Sequence, residues 1–454
     1  MSKKVIIVEP LGPKTNVFAQ YMTLPLLGPL YLGTILKQAG FDVLIHNENF
    51  SKNSLYTKQL TGDFLLLSLL TPTVERGHAI AKMFKKNNPH AKVIIGGIHP
   101  TLLPKESLAF ADFVVQGEAE EIIVDLLRFG SSQQLINTEL VKDLNKIPFP
   151  DFNLLHNYKE NSIYPIITSR GCPFNCNFCS VTKTFGKEYR TVDLYKTVEE
   201  LSLTKTKHIF FYDDNFTANK TRIKKLLTLM IEKKIKKTWV AQTRTDIADD
   251  EELLHLMKES GCLKVFMGIE SLNDLVLRQY RKAQTQEQIE KNIKKIHSHG
   301  IQIHGMFIFG SDFDTPKTFH DTVSFCQKNK METVQYLALT PFPGTQLYND
   351  MESGNRLIHR QWAYYDTLHV VFKPRFISAL DLQNKIIAAF EDFYSLVFIL
   401  RGLLTSTMKF GNKVSNLITR LFARTIIGHW KKQNSDYLKY LANIAPDPRK
   451  SVPN

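Results

Sequence analysis

Short, unbroken apolar runs separated by segments of helical spacing constrain this chain more than any other feature. Val5–Val8, Val43–His46, Phe64–Leu70, Val93–Ile95 and Phe113–Val115 read as strands, with Leu30–Gln38, Ala79–Lys86 and Glu120–Phe129 as the helices between them. Strands that are apolar throughout, rather than alternating, belong to a sheet covered on both faces. The expectation is a doubly wound, Rossmann-like α/β domain whose ligands bind at the carboxyl ends of the strands. The segment Lys146–Phe152, with Pro148 and Pro150, marks a boundary. Beyond it Tyr164–Thr168, His208–Tyr212, Trp239–Gln242, Val265–Ile269, Ile303–Phe309 and Val334–Leu339 recur at the spacing of βα units, enough for a partial (β/α)6 barrel with its polar residues at the strand ends. From Asn349 onward the spacing is mainly helical, as in Leu382–Leu400 and Asn412–Trp430. The 454 residues suit two to three domains at roughly 150 residues each, here divided as 1–145, 146–348 and 349–454.

Three of the five cysteines fall within eight residues, Cys172, Cys176 and Cys179, in a C-x3-C-x2-C run just after the first barrel strand. Thiolates converging from one loop hold soft metal, and such runs ligate iron–sulfur clusters. A cluster held by protein alone wants a fourth cysteine, but Cys262 and Cys326 each sit in an apolar stretch that reads as core. Zinc completed by a histidine is the alternative, although the next histidine, His208, lies in an expected buried strand. A disulfide suits neither an odd number of cysteines nor a chain without a secretory start.

This spacing, with Phe178 before the last cysteine, resembles the signature of the radical S-adenosylmethionine (radical SAM) enzymes. The resemblance implies that Cys172, Cys176 and Cys179 hold a [4Fe-4S] cluster whose fourth iron is left open for the amino and carboxylate groups of S-adenosylmethionine. It further implies that an electron from the reduced cluster, delivered by a donor such as flavodoxin or ferredoxin, splits the sulfonium bond to a 5′-deoxyadenosyl radical. Phe178 is then expected near the cluster and adenine. At the strand ends, Arg244 can pair with the carboxylate through its planar fork, and Glu270 and Ser271 can serve the ammonium and ribose. Asp213 and Gln242 are further candidates, with Ile308 beside adenine. Either Asp213 or Asp214 also suits the cap of the following helix. Asp213-Asp214-Asn215-Phe216 stands where the superfamily usually has Gly-Gly-Glu-Pro, as in its cobalamin-associated branch.

Small residues at the ends of the first five strands are similar to the cobalamin-binding domain that precedes the barrel in that branch. Leu27 and Gly28, Ser68 and Thr71, Gly96, Gly97 and His99, and Gly117 and Glu118 are the expected cobalamin contacts. Glycines let backbone approach a bulky ligand, although any one of them alone is an ordinary turn. The D-x-H-x-x-G element that supplies a histidine to cobalt in some such domains is replaced by Glu9-Pro10-Leu11-Gly12-Pro13-Lys14, so no lower axial histidine is expected and His99 reads as a turn residue. The turn Thr340–Tyr348, with its P-x-P-G-T pattern, resembles the same branch; its tyrosines and Tyr336 suit a substrate pocket or plain packing.

The net charge of +14 is uneven: Phe393–Asn454 holds ten Lys or Arg and two Asp. A basic, apolar tail suits packing on the barrel first and contact with an anionic membrane surface second, with nucleic acid disfavoured. No run is long enough for a membrane span, and a cytoplasmic location is expected, with peripheral contact at the inner membrane face as a secondary expectation. The expected reaction is cobalamin-dependent methyl transfer to an unactivated carbon of a small-molecule or lipid substrate. Radical oxidative cyclisation or rearrangement is the alternative, and an iron–sulfur electron carrier or basic nucleic-acid-binding protein is the non-enzyme reading. A methylthiotransferase is disfavoured, because residues 1–150 contain no cysteine for a second cluster.

Overall fold

A computed structural model describes residues 2–13, 16, 24–51, 60–156, 158, 163–405 and 410–444, without the side chains of residues 51, 401–405 and 410–412. Lys409, Arg449 and Lys450 of the basic tail lie outside this description, as does the side chain of Arg401.

The first six strands are β1 (Lys4–Glu9), β2 (Asp42–Asn47), β3 (Phe64–Ser68), β4 (Lys92–Gly96), β5 (Phe113–Gln116) and β6 (Leu135–Asn137). They form one sheet in the order β2-β1-β3-β4-β5-β6, and every pairing is parallel. Both faces are dry, as unbroken apolar strands require. Val5, Ile7, Leu66 and Ile94 face a core with helices Leu27–Gln38 and Ile123–Phe129. Ile6, Val8, Leu65 and Leu67 face helix Val74–Asn87, and Tyr348, Trp362, Tyr365 and Val371 complete that second core from far down the chain. The strand order reverses between β1 and β3, and a crevice opens at the carboxyl ends there.

The boundary segment is tied to the first helix: Asp151 pairs with Lys37 at 2.7 Å, and its N–H donates to Thr34 Oγ1 at 2.9 Å. Next come β7 (Ile163–Ile166) and a short antiparallel pair, β8 (Ser169–Arg170) with β9 (Arg190–Thr191). The second sheet continues through β10 (His208–Phe211), β11 (Thr238–Thr243), β12 (Cys262–Glu270), β13 (Gln302–Phe309) and β14 (Thr333–Ala338). Its order, β14-β13-β12-β11-β10-β7, follows the chain, again with parallel pairings throughout. The terminal strands β7 and β14 are not paired to each other, so this is an open, partial barrel. Its helices begin where short polar side chains accept the free N–H groups of the first turn: Asn219 from Arg222, Asp250 from Leu253, and Thr285 in a capping box with Gln288. Helix Gln286–Ser298 turns Ile289, Ile293 and Ile296 inward, one per helical turn.

The chain is therefore α/β, a doubly wound domain before a partial barrel, with a helical C-terminal region. Helix Ala379–Phe393 packs on β14 and on helix Pro316–Lys328. None of the described helices is long and apolar enough to cross a membrane.

Glu9, the last residue of β1, is buried and accepts the Leu26 N–H at 3.1 Å. Burial pushes its carboxyl up from the usual 4.5 to about 8. The unfolded chain therefore loses this proton first, and the contribution to stability, complete below about pH 4.5, is lost as pH rises to about 8. Glu9→Gln keeps an acceptor for Leu26 and cannot ionise. Its stability advantage over the parent should grow by a few kcal/mol from pH 5 to pH 8, at about 1.36 kcal/mol per pKa unit, and level off above that. Urea midpoints across pH check this; parallel profiles for the two proteins would refute it.

Candidate active site

The β8–β9 pair clamps the base of the cysteine loop, with Ser169 opposite Thr191 and Arg170 opposite Arg190. Gly171 opens the loop at φ 85°, and any Cβ there would collide with the Glu188 carbonyl oxygen. Cys172, Cys176 and Cys179 are free, half-buried thiols, and the Cys179 N–H donates to the Cys176 carbonyl at 3.2 Å. Burial raises the thiols of Cys172 and Cys179, the latter to about 12, and nearby Cys176 and Asp214 add to the effect. The three thiols and Asp214 are near enough for their charges to act on one another. Cys262 and Cys326 are fully buried in the barrel core. Among the described residues, no three His, Cys, Asp or Glu side chains, the three loop cysteines included, gather tightly enough to share one metal ion. Three thiols without a fourth from the chain fit a cluster that keeps one iron open.

The strand-end residues separate into open and occupied groups. The Arg244 guanidinium stacks on the Phe174 ring of the cysteine loop, 4.1 Å from its centroid, and its buried Nε has no partner among the described residues. A planar cation fixed on a ring with an unused donor fits a carboxylate ligand. Gln242 is half-buried two residues earlier on the same face of the strand. Phe178 packs edge-on against Tyr280 at 5.0 Å, and Ile308 is buried in β13. Glu270 adopts φ 68°, rare for a side-chain-bearing residue, and its carboxylate pairs with Lys282 at 2.8 Å. Ser271 Oγ, also buried, accepts the Asn273 N–H.

Asp213 differs from the expectation. It is fully enclosed, accepts from Thr168 N–H and Oγ1 at 3.1 and 3.2 Å and from Ser169 Oγ, and so ties β10 to the base of the cysteine loop. Neither it nor Asp214 caps the next helix; Asn219 does. Asp214, which sequence reasoning left as a cap, has no hydrogen-bond partner among the described residues and lines a cavity. Burial and then Asp213 push its carboxyl to about 7. The chain turns at Asp214, just past the end of β10, so the neighbouring carboxylates meet different surroundings.

That cavity, about 270 Å3, lies at the carboxyl ends of the first sheet. Leu27, Gly28, Ser68, Gly96, Gly97, Gly117 and Glu118 line one side, and Ile167, Ser169, Arg170, Tyr212 and Asp214 the other. A Cβ on Gly28 would meet nothing within 4 Å, so the first helix leaves room there for a bulky neighbour. The volume is just under the ~300–1,000 Å3 of pockets that enclose a drug-sized ligand, so a large ligand fits only partly enclosed. A shallow groove of about 640 Å3 beside Pro148, Phe149 and Tyr195 carries none of the candidate residues.

Two candidate cobalamin contacts do not line the cavity. Thr71 is buried in the turn after β3. His99 faces away: its Nε2 lies 3.2 Å from Glu106, and its ring packs against Trp362, whose indole N–H donates to the same carboxylate at 2.8 Å. Glu118 borders the cavity with its carboxylate already engaged. It accepts from Arg190 at 2.7 and 2.9 Å, from the Val141 N–H at 2.6 Å, and pairs with Arg170 at 3.1 Å; Arg170 in turn pairs with Glu120 at 2.7 Å. Burial works to raise the Glu118 carboxyl, but the two arginines hold it below the usual range. Removing one member of such a buried network strands the others, a cost of about 3–5 kcal/mol, so these pairs lock the first sheet to the cysteine loop. Sequence reasoning missed this lock because its members lie in different domains.

The P-x-P-G-T turn joins the same region. The Leu347 N–H donates to the Asn177 carbonyl in the cysteine loop at 3.2 Å, and Gly344, at φ 76°, lies against Leu102 of the first domain. Tyr336 and Tyr348 are buried in packing.

Comparison with known proteins agrees with this architecture. A family model described as the B12 binding domain matches residues 15–127, and one described as the Radical SAM superfamily matches residues 166–326. The chain is 31% identical to bacteriochlorophyllide d C-12(1)-methyltransferase of Chlorobaculum tepidum, over 72% of this chain and 75% of that one. It is 29% identical to an uncharacterized methyltransferase of Pyrococcus horikoshii, over 86% and 92%. Its fold matches the radical S-adenosylmethionine methyltransferase TsrM from Kitasatospora setae, solved with cobalamin and a [4Fe-4S] cluster, at a TM-score of 0.66, 16% identity and coverage of 98% and 99%. The chain belongs to the cobalamin-binding radical SAM enzymes, with a [4Fe-4S] cluster, S-adenosylmethionine and cobalamin as its cofactors.

Proposed function

We propose that this enzyme transfers a methyl group to an unactivated carbon of a small-molecule or lipid substrate held between the first sheet and the cysteine loop. The supporting observation is one cavity with two unlike walls, Gly28, Gly97 and Gly117 on one side and Ser169, Arg170, Tyr212 and Asp214 on the other. When bound, the cluster and S-adenosylmethionine supply a hydrogen-abstracting radical, and cobalamin supplies the methyl group.

The chain's own work is placement and electrostatics. Cys172, Cys176 and Cys179 give the three thiolates, on a loop whose base is fixed by β8, β9 and Gly171. Arg244, held flat by Phe174, receives the carboxylate of S-adenosylmethionine. Gln242 and Ser271 offer polar contacts to its amine and ribose, and Phe178 and Ile308 offer apolar surface to adenine. Glu270 meets that ligand only together with Lys282. Leu27, Gly28, Ser68, Gly96 and Gly97 line the cobalamin side, while Glu118, through Arg170 and Arg190, keeps the two sides in register. Asp214 presents an unpartnered carboxylate to the substrate space, where it can accept a hydrogen bond.

Trideuteromethyl S-adenosylmethionine, supplied with reductant and cobalamin to the anaerobic holoenzyme in a metabolite extract, tests the reading. The expected result is a product carrying the labelled methyl group, with S-adenosylhomocysteine and 5′-deoxyadenosine formed together. Formation of 5′-deoxyadenosine without label transfer or S-adenosylhomocysteine would replace methyl transfer with cyclisation or rearrangement.

A further inference from the structure

Helices Leu396–Thr405 and Phe410–Gln433 pack on each other, and the second also packs on helix Ala379–Phe393. One side of the long helix is buried. Ile426, Ile427 and Trp430 enter the barrel core, and Arg420 donates to the Met331 and Glu332 carbonyls at 2.6 and 2.8 Å. The same helix carries a second apolar stripe, Val414, Ile418 and Leu421, spaced i, i+4, i+7 and open to solvent. On the shorter helix Val397 and Leu400 are bare as well, at 74% and 57% exposure, with Ile418 at 61%. A surface helix ordinarily has one apolar face; two faces, one of them bare among the described residues, call for a partner.

Charge identifies the occupant. Between Asp392 and Asp436 the sequence has seven Lys or Arg and no Asp or Glu; on the long helix Arg420 is buried and Lys431 pairs with Glu391, while Arg424 and Lys432 are exposed and Lys413 is half-buried. A second copy would bring the same cations against themselves, which like-charge repulsion opposes, whereas anionic lipid headgroups attract each cation near the surface. The described helices are too short or too polar to cross a bilayer, so the geometry suits a helix lying in the headgroup boundary. We propose that this helical hairpin docks the enzyme on an anionic lipid bilayer, with the Val397, Leu400 and Ile418 side of the hairpin facing the acyl chains. This docking is independent of which reaction the active site performs.

The test is sedimentation of the full chain with vesicles of phosphatidylcholine alone or mixed with phosphatidylglycerol. Binding is expected with the mixed vesicles, weaker binding with the neutral ones, and loss of binding as salt screens the attraction. The triple variant Val397→Gln, Leu400→Gln, Ile418→Gln should partition about tenfold or more weakly, while forming 5′-deoxyadenosine at the parent rate. The proposal is overturned if the parent stays in solution with both vesicles, or if the triple variant partitions equally. It is also overturned if light scattering shows a dimer that the triple variant loses, which would assign this face to a second copy.

Discussion

Replacing Cys176 with alanine is expected to remove the iron–sulfur absorbance and lower 5′-deoxyadenosine formation by about a thousandfold or more, because the group that supplies the electron is then absent. The loop itself should survive. Its base is held by the pairing of Ser169 and Arg170 with Arg190 and Thr191 and by the turn at Gly171, and the Cys176 carbonyl that accepts the Cys179 N–H is backbone. The buried ties from Asp213 to Thr168 and Ser169 are equally untouched. Loss of the cluster in a folded protein would therefore report loss of a ligand. Cys262→Ala supplies the contrast. That thiol is buried in the barrel core, so its truncation should cost about 1 kcal/mol of stability and leave the cluster and cleavage in place. Iron analysis, absorbance and chromatography of the nucleoside product decide the matter. A Cys176→Ala protein that keeps both cluster and cleavage would end the assignment of this loop as the cluster site.

The features legible in the sequence were those carried by local spacing. Each long apolar run became a strand, since a residue such as Ile7 or Leu66 that is buried on a two-faced sheet must be apolar whatever its neighbours are. β6 escaped because Leu135–Asn137 is too short and too polar to show a period, and the β8–β9 pair because each strand has two residues. Side-chain direction was less accessible. Two adjacent aspartates could not reveal that Asp213 turns into a buried knot while Asp214 faces the cavity. Long-range partners were invisible. Glu118 became a tie only by meeting Arg170 and Arg190, Glu270 by meeting Lys282, and His99 turned aside because Glu106 and Trp362 lie behind it. After Asn349 only the helical spacing and the basic tail were legible, for the same reason. Trp362, Tyr365 and Val371 follow no helical or strand period, yet they close the second core of the first sheet.

The glycines at the strand ends were read together as room for cobalamin, and the structure divides them by what surrounds each Cβ position. Gly97, at φ 102°, would place a Cβ 2.6 Å from the Leu69 nitrogen and 2.8 Å from its carbonyl oxygen, so replacing it would break the turn and say nothing of a ligand. Gly117, also at positive φ, is pressed against Thr138. Gly28 is different, because its missing side chain borders open cavity and it stands in the first turn of a helix, without the positive φ that would strain a side chain. Gly28→Leu should consequently fold as well as the parent while filling part of the cavity. Forcing a ligand past such added volume costs about 1–3 kcal/mol, so cobalamin affinity should fall about ten- to a hundredfold at 1.4 kcal/mol per tenfold. Cleavage of S-adenosylmethionine should continue, because the cysteine loop and Arg244 lie on the barrel side. The expected signature is 5′-deoxyadenosine formation without retained cobalamin or methyl transfer, read by absorbance, cobalt analysis and product mass. Cobalamin bound as tightly by Gly28→Leu as by the parent would place the cofactor elsewhere and leave this cavity without its proposed occupant.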